Sequence, residues 1–152
     1  MRKRALTALV TVLALVLLYL PEPGAAAGKP CRAYVLLEAR TGQLLLEENS
    51  SESLPMGTMA KLMTMLLTAE ALESGALSED TAVTASPAAN AQKGASIWLM
   101  PGEKMTVGDL LRGMIIGNAN DAAVALAEAV SGTEDQFVMD MNARGFELGL
   151  RS

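Results

Sequence analysis

The sequence predicts an α/β (α+β) chain, a strand hairpin followed by a mainly helical body, and three observations carry that expectation. Residues 33–39 and 44–49 are short, nearly continuous apolar runs on either side of Arg40-Thr41-Gly42-Gln43. Residues 59–74 are apolar almost all the way round a helix. Thr106 with Asp109, and Thr133 with Gln136, have the three-residue spacing of helix-capping pairs.

The chain opens with Arg2, Lys3 and Arg4 before an apolar run from Ala5 to Leu20, then Pro21, Pro23, Gly24 and the small residues Ala25-Ala26-Ala27. Residues 1–27 therefore read as a secretory signal peptide, with an uncleaved anchor as the other reading. Either way, residues 28–152 are exported and extracytoplasmic, in the cell envelope or periplasm. Gly28-Lys29-Pro30 before Cys31 does not suit lipidation, and a single cysteine cannot close an internal disulfide.

The first ordered pair is expected to be two strands turning at Gly42. Their continuous apolar character asks for cover on both faces. In isolation the pair should expose apolar surface and backbone edge. Ser50 to Gly57 is polar and turn-rich. From Met59 to Ser74, eight side chains including Leu62, Met63, Leu66 and Leu72 predict a buried central helix. Thr58 stands at its N-cap, and Gly75 ends it as a left-handed residue. Beyond a polar stretch from Ser78 to Gly94, the apolar piece Ile97-Trp98-Leu99-Met100 stops at Pro101-Gly102. Three helices follow, over 107–116, from Asn120 or Asp121 through Val130, and from Thr133 to Leu148.

Of the 152 residues, 51% are apolar and none is histidine. That absence excludes a Ser-His-Asp triad, a Cys-His pair and any His-ligated metal, so lysine or a carboxylate must serve as base. Beyond residue 27 there are nine basic and sixteen acidic side chains, a net of −7. No basic cluster is left to meet nucleic acid or anionic lipid. No metal or cofactor is expected, and the ten methionines read as adaptable core filling. Trp98 is expected to pack near the helices, Glu70 and Glu73 to be solvated surface charges, and Asp121 to be a helix N-terminal acid favoured by the dipole.

Chemistry is expected to begin at Thr58-Met59-Ala60-Lys61. A hydroxyl opening a helix, with an amine one turn later on the same face, suits lysine-activated acyl transfer. The helix N-terminus offers backbone N–H groups where an oxyanion would form. Lysine at its ordinary pKa of about 10.4 is a poor base, and desolvation is what lowers it. The plain alternative is that Thr58 only caps the helix.

Leu54-Pro55-Met56-Gly57-Thr58-Met59-Ala60-Lys61-Leu62-Met63-Thr64, then Pro101-Gly102-Glu103-Lys104-Met105-Thr106-Val107, then Gly117-Asn118-Ala119-Asn120-Asp121 and the alanine-rich residues after it occur in this order. Together they resemble the serine D-alanyl-D-alanine carboxypeptidases, the low-molecular-weight penicillin-binding proteins. The resemblance implies a β-lactamase/transpeptidase-like fold of which this chain holds the first two strands and the helical subdomain, with the C-terminal strands absent. Residues 28–152 are then the N-terminal part of a truncated catalytic domain. It implies acyl-enzyme hydrolysis of the terminal D-Ala of peptidoglycan stem peptides, with β-lactams as acylating ligands. It assigns Thr58 as nucleophile, Lys61 as general base, Asn120 as the amide orienting lysine and substrate, and Asn118 to substrate binding.

The sequence departs from the family's three motifs, Ser-x-x-Lys, Ser-x-Asn and Lys-Thr-Gly. Thr58 replaces serine, adding a β-methyl that restricts χ1. Asn118 replaces the second-motif serine, exchanging a hydroxyl that relays protons for an amide that orients neighbours. No Lys-Thr-Gly follows; Arg40-Thr41-Gly42 precedes the first motif and reads as the hairpin turn. Two further readings follow: a catalytically lapsed relative that binds peptidoglycan or an envelope partner, and a β-lactamase of the same fold. Membrane contact is expected only through the leader or a missing C-terminal anchor.

Overall fold

A computed structural model describes residues 31–150; the leader read over residues 1–27 lies outside the described residues. The chain divides into two compact units, one ending at Glu52 and the other beginning at Ser53.

The first unit holds the expected hairpin, β1 (Tyr34–Leu37) antiparallel to β2 (Leu44–Glu48), with Tyr34 opposite Glu48 and a register slip between Leu36 and Leu37. Its turn is built by Glu38. The carbonyl of Glu38 accepts from the Gly42 N–H at 2.9 Å, and its carboxylate accepts from the hydroxyl and N–H of Thr41, each at 2.6 Å, and from the Arg40 N–H. Those bonds, the Thr41 hydroxyl foremost, hold the Glu38 carboxyl below its ordinary pKa. Gly42 takes φ +70°, a left-handed value that glycine adopts without a Cβ clash. Arg40-Thr41-Gly42 is thus a turn, as its place in the sequence suggests. Val35, Leu36 and Leu44 to Leu46 stand about half exposed, matching the apolar surface expected of the pair.

The second unit opens with a 3-10 turn, Gly57–Met59, that runs into α1 (Ala60–Glu73). β3 (Ala82–Thr84) pairs antiparallel with β4 (Lys104–Thr106), and the short α2 (Pro87–Asn90) lies between them in sequence. The remainder is α3 (Val107–Gly117), α4 (Asn120–Ser131) and α5 (Glu134–Glu147). The capping pairs behave as their spacing predicts: Thr106 Oγ1 accepts from the Asp109 N–H and Thr133 Oγ1 from the Gln136 N–H, both at 3.1 Å. Each satisfies an N–H that the helix itself cannot. Gly75 follows α1 at φ +76°, as expected.

Two expectations are corrected here. The central buried helix is α4, not residues 59–74. Alanines let α1, α2, α3 and α5 all approach α4, and Ala122, Ala125 and Leu126 are fully buried beside Leu110 and Met114 of α3. In α1 the buried side chains are Thr64 and Thr68, whereas Leu62 is 60% exposed. An all-round apolar helix has no single inward face, so only the side toward α4 and α5 is covered. Thr68 satisfies its hydroxyl by donating to the Thr64 carbonyl at 2.7 Å. The second correction is at Thr58: the 3-10 turn already holds it in helical geometry, so Met59 takes the N-cap place and no side chain caps the helix. Among the described residues no helix is long and apolar enough to cross a membrane.

Candidate active site

Thr58, Lys61 and Asn120 line one cleft of about 510 Å³, together with Phe137 and Val138 of α5. Gly57, at φ +54°, reverses the chain just before Thr58 and starts the turn that presents it. Lys61 lies one turn later on the same face, half-buried.

Lys61 Nζ reaches across to the end of α3. It donates to the carbonyl oxygen of Asn118 and to the Asn118 side-chain Oδ1, the latter at 2.8 Å. Asn118 does this because it is the left-handed cap of α3, at φ +53° and ψ +31°, which turns both oxygens toward the lysine. Asparagine tolerates that conformation better than most side chains. Burial lowers the Lys61 pKa from its ordinary value, and the nearby Asp121 charge opposes the shift.

The lysine's amide partner is therefore Asn118, where the family resemblance names Asn120. Asn120 begins α4, and its hydrogen bonds go elsewhere: Nδ2 donates to the Lys93 carbonyl at 2.6 Å, while its backbone N–H donates to the Ala95 carbonyl at 2.7 Å. Asn120 thus fastens the 93–95 segment to the cleft.

Asp121 is more than the helix N-terminal acid its position suggests. It is 1% exposed. Oδ1 accepts from the N–H groups of Ile97 (3.1 Å) and Ala122 (2.8 Å); Oδ2 accepts from Ser96 Oγ (2.6 Å) and the Leu99 N–H (3.0 Å). Burial alone would raise its pKa, but these bonds, Ser96 first, outweigh it and hold the carboxyl below its ordinary value. Three of these donors, from Ser96, Ile97 and Leu99, thereby pin the 96–99 loop to the start of α4. The sequence could not show this, because Ser96 and Asp121 are far apart along the chain. An acid beside the second-motif asparagine was the one available signal.

Two further expectations change. Trp98 is 82% exposed rather than packed. Glu70 pairs with Arg144 of α5 at 2.7 Å, and Arg144 also holds Glu147 at 2.8 Å, while Glu73 stays on the surface as expected. Facing α5 from α1 is what gives Glu70 a partner.

A hydroxyl and a half-buried amine thus lie on one helical face, beside two asparagines at adjoining helix ends. The family model described as D-alanyl-D-alanine carboxypeptidase, peptidase S11, matches residues 24–152, and the chain belongs to that family. It is 45% identical over 121 residues to the D-alanyl-D-alanine carboxypeptidase DacF of Bacillus subtilis, covering 80% of this chain and 31% of that protein. It resembles the crystal structure of the D-alanyl-D-alanine carboxypeptidase DacD from Francisella tularensis with TM-score 0.76 and 31% identity, over 80% of this chain and 29% of that one. It also resembles penicillin binding protein 5 from Haemophilus influenzae with TM-score 0.74 and 32% identity, over 78% of this chain and 36% of that one. The fold is thus the penicillin-binding-protein type, and the chain spans about a third of the length of these relatives.

Proposed function

We propose that the protein to which this chain belongs is a D-alanyl-D-alanine carboxypeptidase acting through Thr58 on the C-terminal dipeptide of peptidoglycan stem peptides, with β-lactams acylating the same hydroxyl. In this reading residues 1–27 are an export leader, residues 28–152 begin the catalytic domain, and the reaction takes place outside the cytoplasm.

One observation carries it: the two oxygens of Asn118 match the two N–H bonds of a neutral Lys61 amine. That leaves the nitrogen lone pair to take the proton of Thr58, and burial favours the neutral form. Thr58 Oγ then bonds to the carbonyl carbon of the terminal peptide bond as its proton passes to Lys61 Nζ. The C–N bond breaks as Lys61 Nζ passes that proton to the departing amine, and the acyl group remains on Thr58 until water hydrolyses the ester, one water proton returning to Thr58 Oγ. Asn120 is assigned to the substrate's amide and Asn118 to holding the lysine and bordering the substrate.

Incubation of the intact protein with a fluorescent penicillin tests this. A covalent adduct on Thr58, lost in Thr58→Ala and Lys61→Met, is expected, along with release of D-alanine from an acyl-D-Ala-D-Ala peptide. An unlabelled wild type that releases no D-alanine refutes it.

A second reading, binding without turnover, is favoured by Asn118 itself, whose amide carries no hydroxyl to relay a proton to the departing amine. Thr58→Ser with Asn118→Ser separates the two. A large gain of D-alanine release marks the wild type as an impaired or non-hydrolysing binder, and fast wild-type turnover little changed by the double substitution removes that reading.

A further inference from the structure

We propose that Trp98 is a substrate-binding residue whose indole forms an outer platform beside the Lys61–Asn120 cleft and takes the aliphatic side chains on the acyl side of the peptide substrate. The inference rests on the carboxypeptidase reading and names a specificity determinant for it.

Trp98 and Ile116 are the most exposed large apolar side chains among the described residues, at 82% and 83%. Trp98 is also held at φ +58°. A bulky side chain in the left-handed region is an outlier, and such outliers persist where the surroundings over-determine them, often at ligand sites. Here the cause is visible. The N–H groups on either side of Trp98, from Ile97 and Leu99, both point inward to the buried Asp121 carboxylate. The Trp98 N–H donates to Ser96 Oγ at 2.8 Å, which in turn donates to Asp121. Leu99 is 1% exposed in the core, and the Ile97 side chain lies against Gly113 of α3. With both neighbours drawn in, residue 98 is forced outward.

This loop is continuous with the site. Asn120 bonds the carbonyls of Lys93 and Ala95, and Trp98 is three residues beyond Ala95, a span of at most about 10 Å. Trp98 does not line the cleft itself. A substrate cut at its last bond places its C-terminal residue inside the cleft, so the part that runs out over the rim is the acyl side. An indole offers that side a rigid apolar face with few rotatable bonds to immobilise.

The test uses the intact protein with Trp98 as its sole tryptophan, any outside this sequence being changed to phenylalanine. Free protein should show solvent-exposed emission that acrylamide quenches readily. An acyl-D-Ala-D-Ala peptide with long aliphatic side chains should shift the emission to the blue and protect it. Trp98→Ala should raise KM for that peptide about tenfold with kcat changed less than about twofold, and Trp98→Phe should restore most of the loss. Acetyl-D-Ala-D-Ala, which lacks the upstream side chains, should not distinguish the variants.

Emission already blue and shielded before peptide is added overturns the proposal, since protein then covers the indole. So does an active enzyme whose emission ignores the peptide and whose Trp98→Ala variant keeps its KM. A peptide-dependent blue shift in a protein that neither acylates nor releases D-alanine supports the platform and refutes the Thr58 chemistry. Neither shift nor activity refutes both.

Discussion

Replacing Asp121 with asparagine probes the device that organises the site, and its effect can be worked out from the four bonds of the carboxylate. The substitution keeps shape and volume, so packing is unchanged. All four partners are donors: three backbone N–H groups and the Ser96 hydroxyl. An asparagine in this place turns its NH2 toward one pair of them. The better choice faces Ser96 and Leu99, because the hydroxyl can rotate to accept while the Leu99 N–H cannot. That leaves one buried N–H without a partner, at about 1–3 kcal/mol, and exchanges charge-assisted bonds for neutral ones of roughly half the strength. The expected loss is about 2–4 kcal/mol.

The pH dependence has a definite sign. The folded Asp121 carboxyl sits below its ordinary value, so its contribution is complete above the unfolded pKa of about 3.9 and is lost as pH falls through the folded value. Urea unfolding of wild type and Asp121→Asn should therefore differ fully near neutrality and converge progressively below about pH 4. Equal stability at neutral pH, or a difference that persists unchanged in acid, refutes the account of Asp121 as a charged clamp.

Acylation of Thr58 by a β-lactam should rise with pH through the Lys61 pKa and level off below the ordinary lysine value of about 10.4, because burial depresses it and only the neutral amine accepts the proton; a plateau reached only above that value speaks against the assignment. Asn118→Ala should be about 1–2 kcal/mol less stable in urea unfolding than Asn118→Gly, since both lose the Oδ1 contact to Lys61 while alanine alone bears the left-handed backbone at φ +53°. Glu70→Gln should lose only about 0.5–1 kcal/mol, diminishing in salt, because the pair with Arg144 is about a third exposed; a loss above about 2 kcal/mol means the α1–α5 contact depends on it far more than surface pairs usually allow.

What the sequence made legible was local. The hairpin followed from two apolar runs about Gly42, and α3 and α5 from a threonine three residues ahead of an acid or amide. Ser86-Pro87 carried a start signal of the same kind for α2, an N-cap oxygen that accepts from the Ala89 N–H at 3.0 Å followed by a proline at the first turn. The polar residues around it, from 78 to 94, mask that signal. β3 and β4 are three residues each, too short for an alternation to register. The site was legible as a set of motifs but not as contacts, because Lys61 and Asn118 are 57 positions apart. Trp98 departs from its expected packing because an apolar side chain need not be buried.

The run Asn118-Ala119-Asn120-Asp121 explains how one motif position can change its chemistry while the fold persists. Asn118 closes α3 and holds Lys61; Ala119 is fully buried between the helices; Asn120 and Asp121 open α4 and bind the 93–99 loop. Position 118 is thus set by two demands, an oxygen for the lysine and a backbone at positive φ. Asparagine meets both, and serine meets the second less well. Restoring serine there should then strain the α3 cap even as it returns a hydroxyl to the proton route. A gain in acylation by Asn118→Ser is therefore expected to appear with a lower unfolding midpoint, and a serine variant as stable as wild type would show that the left-handed cap does not constrain this position.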